Sequence, residues 1–396
     1  MSPSALFHGL LLLAAVSASF PALPRADVRQ WFASPTAATP TKALGSVGDR
    51  NAATEAEVQK SVRADAGASV ALPLDLAGTG LFLAGSATQV DPRNLPYAPQ
   101  YPLWSDGALK RRWIYLPAGS WIDASNPDAW VFPRGTKFWK EFRFGRRVET
   151  RYIERRADGS FLYATYVWNA AETRATLAPE GGVRRAAAIG PGVEHDIPGQ
   201  SDCRACHEGR KSPVLGFGAL QLSPDRDPNA LHREVRPAAA VDLKVLLEMG
   251  LVRNLPITLS SPWPRIAAPS PTARAALGYL FGNCAACHNA EGPLAGLGLD
   301  FDQRFGSDGG ADRVAQSTIG RFSHFQLPGE TESQRIAAGD PARSTVFFRM
   351  ASRKPNEQMP PLGTHQVDRD GLTLIKRWIL DNTLVVEQQA KCERSK

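Results

Sequence analysis

Two five-residue stretches hold the residue types and spacing that can do chemistry. Cys203-Arg204-Ala205-Cys206-His207 and Cys284-Ala285-Ala286-Cys287-His288 both read C-x-x-C-H. Two thiols one helical turn apart can reach the two vinyl groups of a single porphyrin, and the adjacent imidazole then lies beneath the iron. The spacing predicts two covalent c-type haems, with Cys203, Cys206, Cys284 and Cys287 as thioether anchors and His207 and His288 as proximal ligands. A ribbon-type zinc site would need its two pairs about 15–20 residues apart; these stand much further apart, and zinc would leave both histidines unexplained.

An electron-transfer haem usually takes a second axial ligand, and methionine is the one that raises the potential. For the second iron the candidate is Met359, in Gln358-Met359-Pro360-Pro361-Leu362-Gly363. The prolines stiffen an extended loop, so that a flexible thioether can be held in place. His365 and Met350 are weaker competitors, and Met350 reads as helix core. For the first iron His195, His232, Met249 and Met350 all stay open, as does an empty sixth position that would permit ligand binding or peroxide chemistry.

The chain has 396 residues, 31 prolines, 34 glycines and a formal charge of +7. That composition suits a globular protein with many turns and few long helices. Two haems would add four propionates, leaving a mildly cationic protein. This balance does not argue for nucleic acid and is compatible with docking to acidic redox partners. The fifth cysteine, Cys392, lies in a polar tail without an obvious partner.

An apolar run over residues 6–16, too short to span a bilayer, is followed by small residues that fit cleavage after Ala18 or Ala22. It reads as an export signal, although no Lys or Arg precedes it, and it agrees with haem attachment in the periplasm. No later stretch is long and apolar enough for a membrane helix. The organisation expected is a signal peptide over 1–22, a linker over 23–73, a β-rich domain over 74–190, a first haem-binding region over 191–265, a cytochrome c-like domain with the second haem over 266–386, and a polar tail over 387–396.

Residues 111–116, 130–132, 137–144, 148–153 and 161–168 are rich in aromatic and β-branched residues and are separated by turn residues, as strands of a half-buried antiparallel sheet require. Arg143, Arg146, Arg147, Arg151, Arg155 and Arg156 read as a solvated face, with a propionate or partner contact as the competing reading. Helices are expected over 242–250, over 272–283 leading into Cys284, and from an Asp370 cap through Asp381, with Leu372, Ile375, Trp378 and Ile379 at helical spacing. Prolines 262, 264, 269 and 271 suggest a hinge. The fold class expected is α+β multidomain: a β-rich sandwich or partial barrel, then a haem-binding segment, then an all-α cytochrome c-like C-terminal domain.

Several short motifs occur in a fixed order: Leu103-Trp104-Ser105-Asp106, Phe132-Pro133-Arg134-Gly135-Thr136, Glu149-Thr150-Arg151, Thr165-Tyr166-Val167-Trp168-Asn169, Ile197-Pro198, Asn283 to Asn289 around the second C-x-x-C-H, Met359-Pro360-Pro361, and Trp378-Ile379. In these the chain resembles the Shewanella SO2930-like family of exported bacterial diheme c-type cytochromes. The resemblance implies covalent haem, electron transfer and an exported location, and supplies no substrate. The function expected is single-electron transfer between periplasmic redox partners. Two alternatives stand beside it: a diheme peroxidase-like enzyme with an open first haem, and a β-rich docking module that couples a dehydrogenase to a cytochrome outlet.

Overall fold

The computed structural model describes residues 72–305 and 310–381. The export signal, nearly all of the linker, the polar tail and Cys392 lie outside the described residues. Among the described residues ten strands run in chain order: β1 Leu95–Tyr97, β2 Leu109–Tyr115, β3 Ile122–Asp123, β4 Lys137–Phe144, β5 Arg146–Arg155, β6 Phe161–Trp168, β7 Ala175–Leu177, β8 Val183–Gly190, β9 Val193–Ile197 and β10 Val252–Arg253. Six of them form one antiparallel sheet in the order β1-β2-β4-β5-β6-β7. The other four make two small pairs, β10 with β3 and β8 with β9.

Side-chain alternation gives the sheet two different faces. On one, Trp113, Trp139, Tyr152, Ala164, Tyr166 and Trp168 pack with Leu76, Leu81 and Phe82. The indole N–H of Trp139 donates to Thr79 Oγ1 at 2.9 Å and that of Trp168 to Thr150 Oγ1 at 3.0 Å, so neither is left unpaired by burial. On the other face the chemistry is split. Ile114, Phe138 and Ile153 join Phe217, Leu243 and Leu246 in a second core, while Lys110, Arg112, Lys140 and Arg151 share that face further along the strands.

Six α-helices occur among the described residues: α1 Gln200–His207, α2 Leu243–Glu248, α3 Pro271–Cys284, α4 Gly310–Thr318, α5 Thr345–Ala351 and α6 Arg369–Leu380. Ser270 caps α3, its Oγ accepting from the Ala273 N–H, and Pro271 fills the first turn where no N–H is needed. The cap of α6 is Asp368, which accepts from the Gly371 N–H, and not Asp370. The two helices pack together.

The expected α+β multidomain class, with an all-α cytochrome c-like domain at the C-terminus, is not what forms. The helices are few and short, and between them extended segments pair through single bridges, Ile319 with Ile336 and Gln334 with Ser344. The apolar side of α3 is built largely of Ala and Gly, too shallow to close a core by itself. Tyr101 and Leu220, from well before the helix, and Ile266, just before it, complete the core made by Leu277, Leu280, Ile375, Trp378 and Ile379. The described residues fall in one compact unit. The sandwich reading fails too, since a single large sheet is covered by loops and short helices on both faces. Among the described residues no helix is long and apolar enough to cross a membrane.

Gly278 and Gly282 are where Tyr101 lies directly on α3, and a Cβ at Gly278 would overlap the Tyr101 ring. Gly278→Ala is expected to destabilise the protein by about 1–3 kcal/mol through overpacking, read as a lower denaturation midpoint; an unchanged midpoint would mean that the two do not press together.

Candidate functional site

The second motif begins where α3 ends. The chain turns at Cys284, whose carbonyl accepts from the His288 N–H at 2.9 Å, and the His288 carbonyl accepts from the Phe301 N–H at 2.9 Å. His288 thereby faces a cleft lined mostly by apolar side chains, among them Leu294, Leu297, Leu299, Phe301, Phe325 and Val346. Cys284, Cys287, His288 and Met359 all line it, so the residues read as one haem site from distant parts of the chain converge. The Met359 N–H donates to the Arg349 carbonyl at 3.0 Å, and Arg349 Nε donates to the Glu357 carbonyl at 2.8 Å, which ties the methionine loop to α5.

One wall of the cleft is polar. The Tyr279 hydroxyl donates to Asp368 Oδ2 at 2.8 Å, His232 Nε2 donates to the same oxygen at 2.7 Å, and the His232 ring lies 4.7 Å from that of Trp104. Burial opposes the Asp368 charge, but the hydrogen bonds from His232 and the Gly371 N–H hold its carboxyl below the ordinary value. Trp104 Nε1, Arg353 Nε and Nη1, and His288 Nδ1 are buried without a hydrogen-bond partner. Unpaired buried donors are costly. A large apolar group with an acidic edge, which is what a haem is, would match the cleft and supply acceptors for Trp104 and Arg353.

The first motif occupies α1, against β6. The His207 ring stacks 5.3 Å from Tyr163, and His207 Nδ1 lies 2.6 Å from the Pro213 carbonyl. A carbonyl only accepts, so Nδ1 carries the proton and Nε2 keeps its lone pair, the arrangement that orients a metal-binding imidazole. Burial pushes His207 and His288 each down to about 4, so both are neutral at pH 7. These features fit axial ligation.

The two motifs abut. Cys206 and Cys287 share a hydrogen bond, which pushes the Cys206 thiol up, and Cys287 Sγ lies 3.9 Å from the Ala205 carbonyl. Asn289 Nδ2 donates to the Gly209 carbonyl at 3.0 Å and to the Ala285 carbonyl at 2.9 Å. Lys211 pairs with Glu291 at 2.7 Å, and Arg210 with Asp302. Among the described residues no group of three or more His, Cys, Asp or Glu is arranged to hold a metal ion.

The open candidates for the first iron fall elsewhere. His195 Nε2 donates to Glu149 at 3.0 Å, and its Nδ1 faces Asp106 at 3.7 Å, so both nitrogens are turned to carboxylates. His232 is bonded to Asp368, behind the wall of the second cleft. Met249 caps α2 and packs on the second core, Met350 lines the second cleft, and His365 faces Asp196 at 3.4 Å. The arginine run is not simply solvated: Arg147 stacks 3.7 Å over Trp168 and pairs with Glu172, and Arg151 pairs with Glu149. Residue patterns did not point to Trp104, Arg353, Tyr279 and Asp368 as a group; only Leu103-Trp104-Ser105-Asp106 carried a signal. Asp106 holds a left-handed φ of 51°, and its Oδ1 accepts from the His365 and Gln366 N–H groups at 2.7 and 2.8 Å, joining the methionine loop to the sheet.

No family model matches the chain, and searches of curated proteins and of solved structures return no match.

The buried His195 charge has a pH signature. Burial lowers its affinity for a proton, but the carboxylates of Asp106 and Glu149 that face it more than offset this and raise its pKa. A raised histidine stabilises the fold fully below its unfolded value and loses that contribution as pH rises through the folded one. Burial likewise opposes the charge on Glu149, yet Arg151 and His195 hold it at about 2, so it stays ionised across this range. His195→Gln is expected to cost about 3–5 kcal/mol at low pH, and the gap to the wild type should narrow as pH climbs above about 6.5. Denaturant unfolding across pH checks this; a gap that widens with pH would contradict it.

Proposed function

We propose that this chain is an exported diheme c-type cytochrome, of the family it resembles, that passes single electrons between periplasmic redox proteins through haems attached at Cys203/Cys206 and Cys284/Cys287. The observation that carries this reading is the apolar cleft in which Cys284, Cys287, His288 and Met359 meet. Each comes from a motif that implied haem for its own reason, and three buried donor nitrogens on that cleft, of Trp104 and Arg353, lack acceptors.

Bound haem would supply a one-electron iron couple. The chain's own residues do the rest. His288 and Met359 present a neutral nitrogen and a thioether, both held by backbone hydrogen bonds, so that little has to move when charge changes. Leu297, Leu299 and Phe325 exclude water, which favours the less charged state of whatever they enclose. His207 offers Nε2 with its tautomer set by Pro213. The contact between Ala205 and Cys287 brings the two attachment points together, so an electron delivered to one side has a short path to the other.

A second reading has one specific observation behind it. His195 is held between Glu149 and Asp106, and His232, Met249 and Met350 are engaged elsewhere, which supports an open first iron and hence a haem redox enzyme of the peroxidase type.

The test is spectroscopy of purified holoprotein. Met359→Ala should abolish the one thioether-to-iron charge-transfer band while both haems stay attached; a retained band would refute the ligand assignment. The wild type should bind carbon monoxide at no more than one of its two irons, and two reactive irons would contradict the closed second site.

A further inference from the structure

A block of basic side chains lies on the sheet face beside the first motif. Strand register makes Arg112 on β2, Lys140 on β4 and Arg151 on β5 directly paired neighbours, with Lys110 two residues from Arg112 on the same face. Thr165, paired with Arg151, lines one small cavity with Cys203, and Tyr163, two residues away, stacks on His207. The row therefore faces α1.

Like charges directly opposite one another across strands repel, and buried charges need partners. The partners present do not suffice. Glu234 engages Arg112, and Glu149 engages Arg151 at 2.7 Å while also accepting from His195. Lys110 Nζ donates only to the Leu103 carbonyl, at 2.5 Å. Lys140 ion-pairs with no carboxylate among the described residues, and its ammonium sits 4.6 Å from the centre of the Phe142 ring. Arg112 is 4% exposed and Lys110 9%. Burial, together with the neighbouring guanidinium groups, pushes the Lys110 amine down to about 7 and Lys140 well below its ordinary value. An anion placed against the row would relieve both.

We propose that the Lys110–Arg112–Lys140–Arg151 row is a carboxylate-binding site, and that the carboxylates it holds are the propionates of the haem anchored at Cys203 and Cys206. This rests on the haem reading above. A small free carboxylate would use the same donors, and the experiment separates the two sources.

The full-length holoprotein is compared as wild type, Lys140→Gln, Lys140→Arg and Lys137→Gln, the last lying on the opposite face of β4. Intact mass counts the haems, spectroelectrochemistry gives the potential of each, and redox-difference infrared spectra report the carboxylate bands. Removing a positive charge beside a propionate favours the oxidised iron. Lys140→Gln should keep two haems, lower the reduced-to-oxidised ratio of one of them by about tenfold at fixed potential, equivalent to about 59 mV for one electron, and displace a propionate band. Lys140→Arg and Lys137→Gln should leave both unchanged. Unmoved potential and bands in a fully loaded Lys140→Gln chain overturn the proposal. So does a shift of the wild-type bands on adding millimolar acetate, which would assign the site to a free carboxylate. If Lys140→Gln loads a single haem, Lys110→Gln is read in its place by the same criteria. A wild type without covalent haem fails the parent reading instead, and mass alone reveals that.

Discussion

Asn289 is the side chain on which the two halves of the candidate site meet. It is buried, and its amide nitrogen donates both to the carbonyl of Gly209, just past the first C-x-x-C-H, and to that of Ala285, inside the second. A Cβ at Gly209 would lie 2.5 Å from the Ala286 carbonyl oxygen, so the backbones approach as closely as they can. Everything around this contact keeps it in place: the Arg210–Asp302 and Lys211–Glu291 pairs on its flanks, α3 entering from behind, and the core that α3 shares with Tyr101 and α6. The short path between the proposed haems is a consequence of that one approach.

The two sides of the contact are built on opposite principles. On the second, an apolar cleft with a soft sulfur donor and a single polar wall suits an iron that must stay six-coordinate and change its charge at low cost. On the first, α1 rests on a sheet whose nearby face carries lysines, arginines and the His195–Glu149–Asp106 chain. Buried charge of that density is expensive and is retained where a charged occupant or a change of charge has to be accommodated. Asp106 joins the two regimes, since it faces His195 with one oxygen and holds the methionine loop with the other.

Local pattern carried much of this. The strands over 137–144 and 161–168 and the helix into Cys284 are short-range features, written in alternation, capping and turn residues, and they stand where residue spacing put them. The convergence of Met359 on the second motif was readable because Met-Pro-Pro in a loop has few other uses. What stayed illegible was long-range. That α3 needs Tyr101 and Leu220 to bury its Ala- and Gly-lined side depends on contacts far apart in the chain, and without them the segment reads as a free-standing helical domain. The weakly apolar pair β8 and β9 gave no strand signal, because its side chains are mostly half-exposed and its register is irregular. The polar wall of Trp104, Arg353 and Asp368 is assembled from three loops with no common period. The basic row was visible as letters, but only strand register shows which of the arginines and lysines share a face.

The proposed electron path requires both C-x-x-C-H motifs to carry covalent haem at one shared contact. Intact mass spectrometry of the full chain matured in a host competent for c-type attachment tests this most directly, with Cys203/Cys206→Ser and Cys284/Cys287→Ser variants alongside. Two haem masses on the wild type, and one on each paired variant, is the result the account predicts. A wild type with no added haem, or with a zinc mass or intramolecular disulfides in its place, would contradict it.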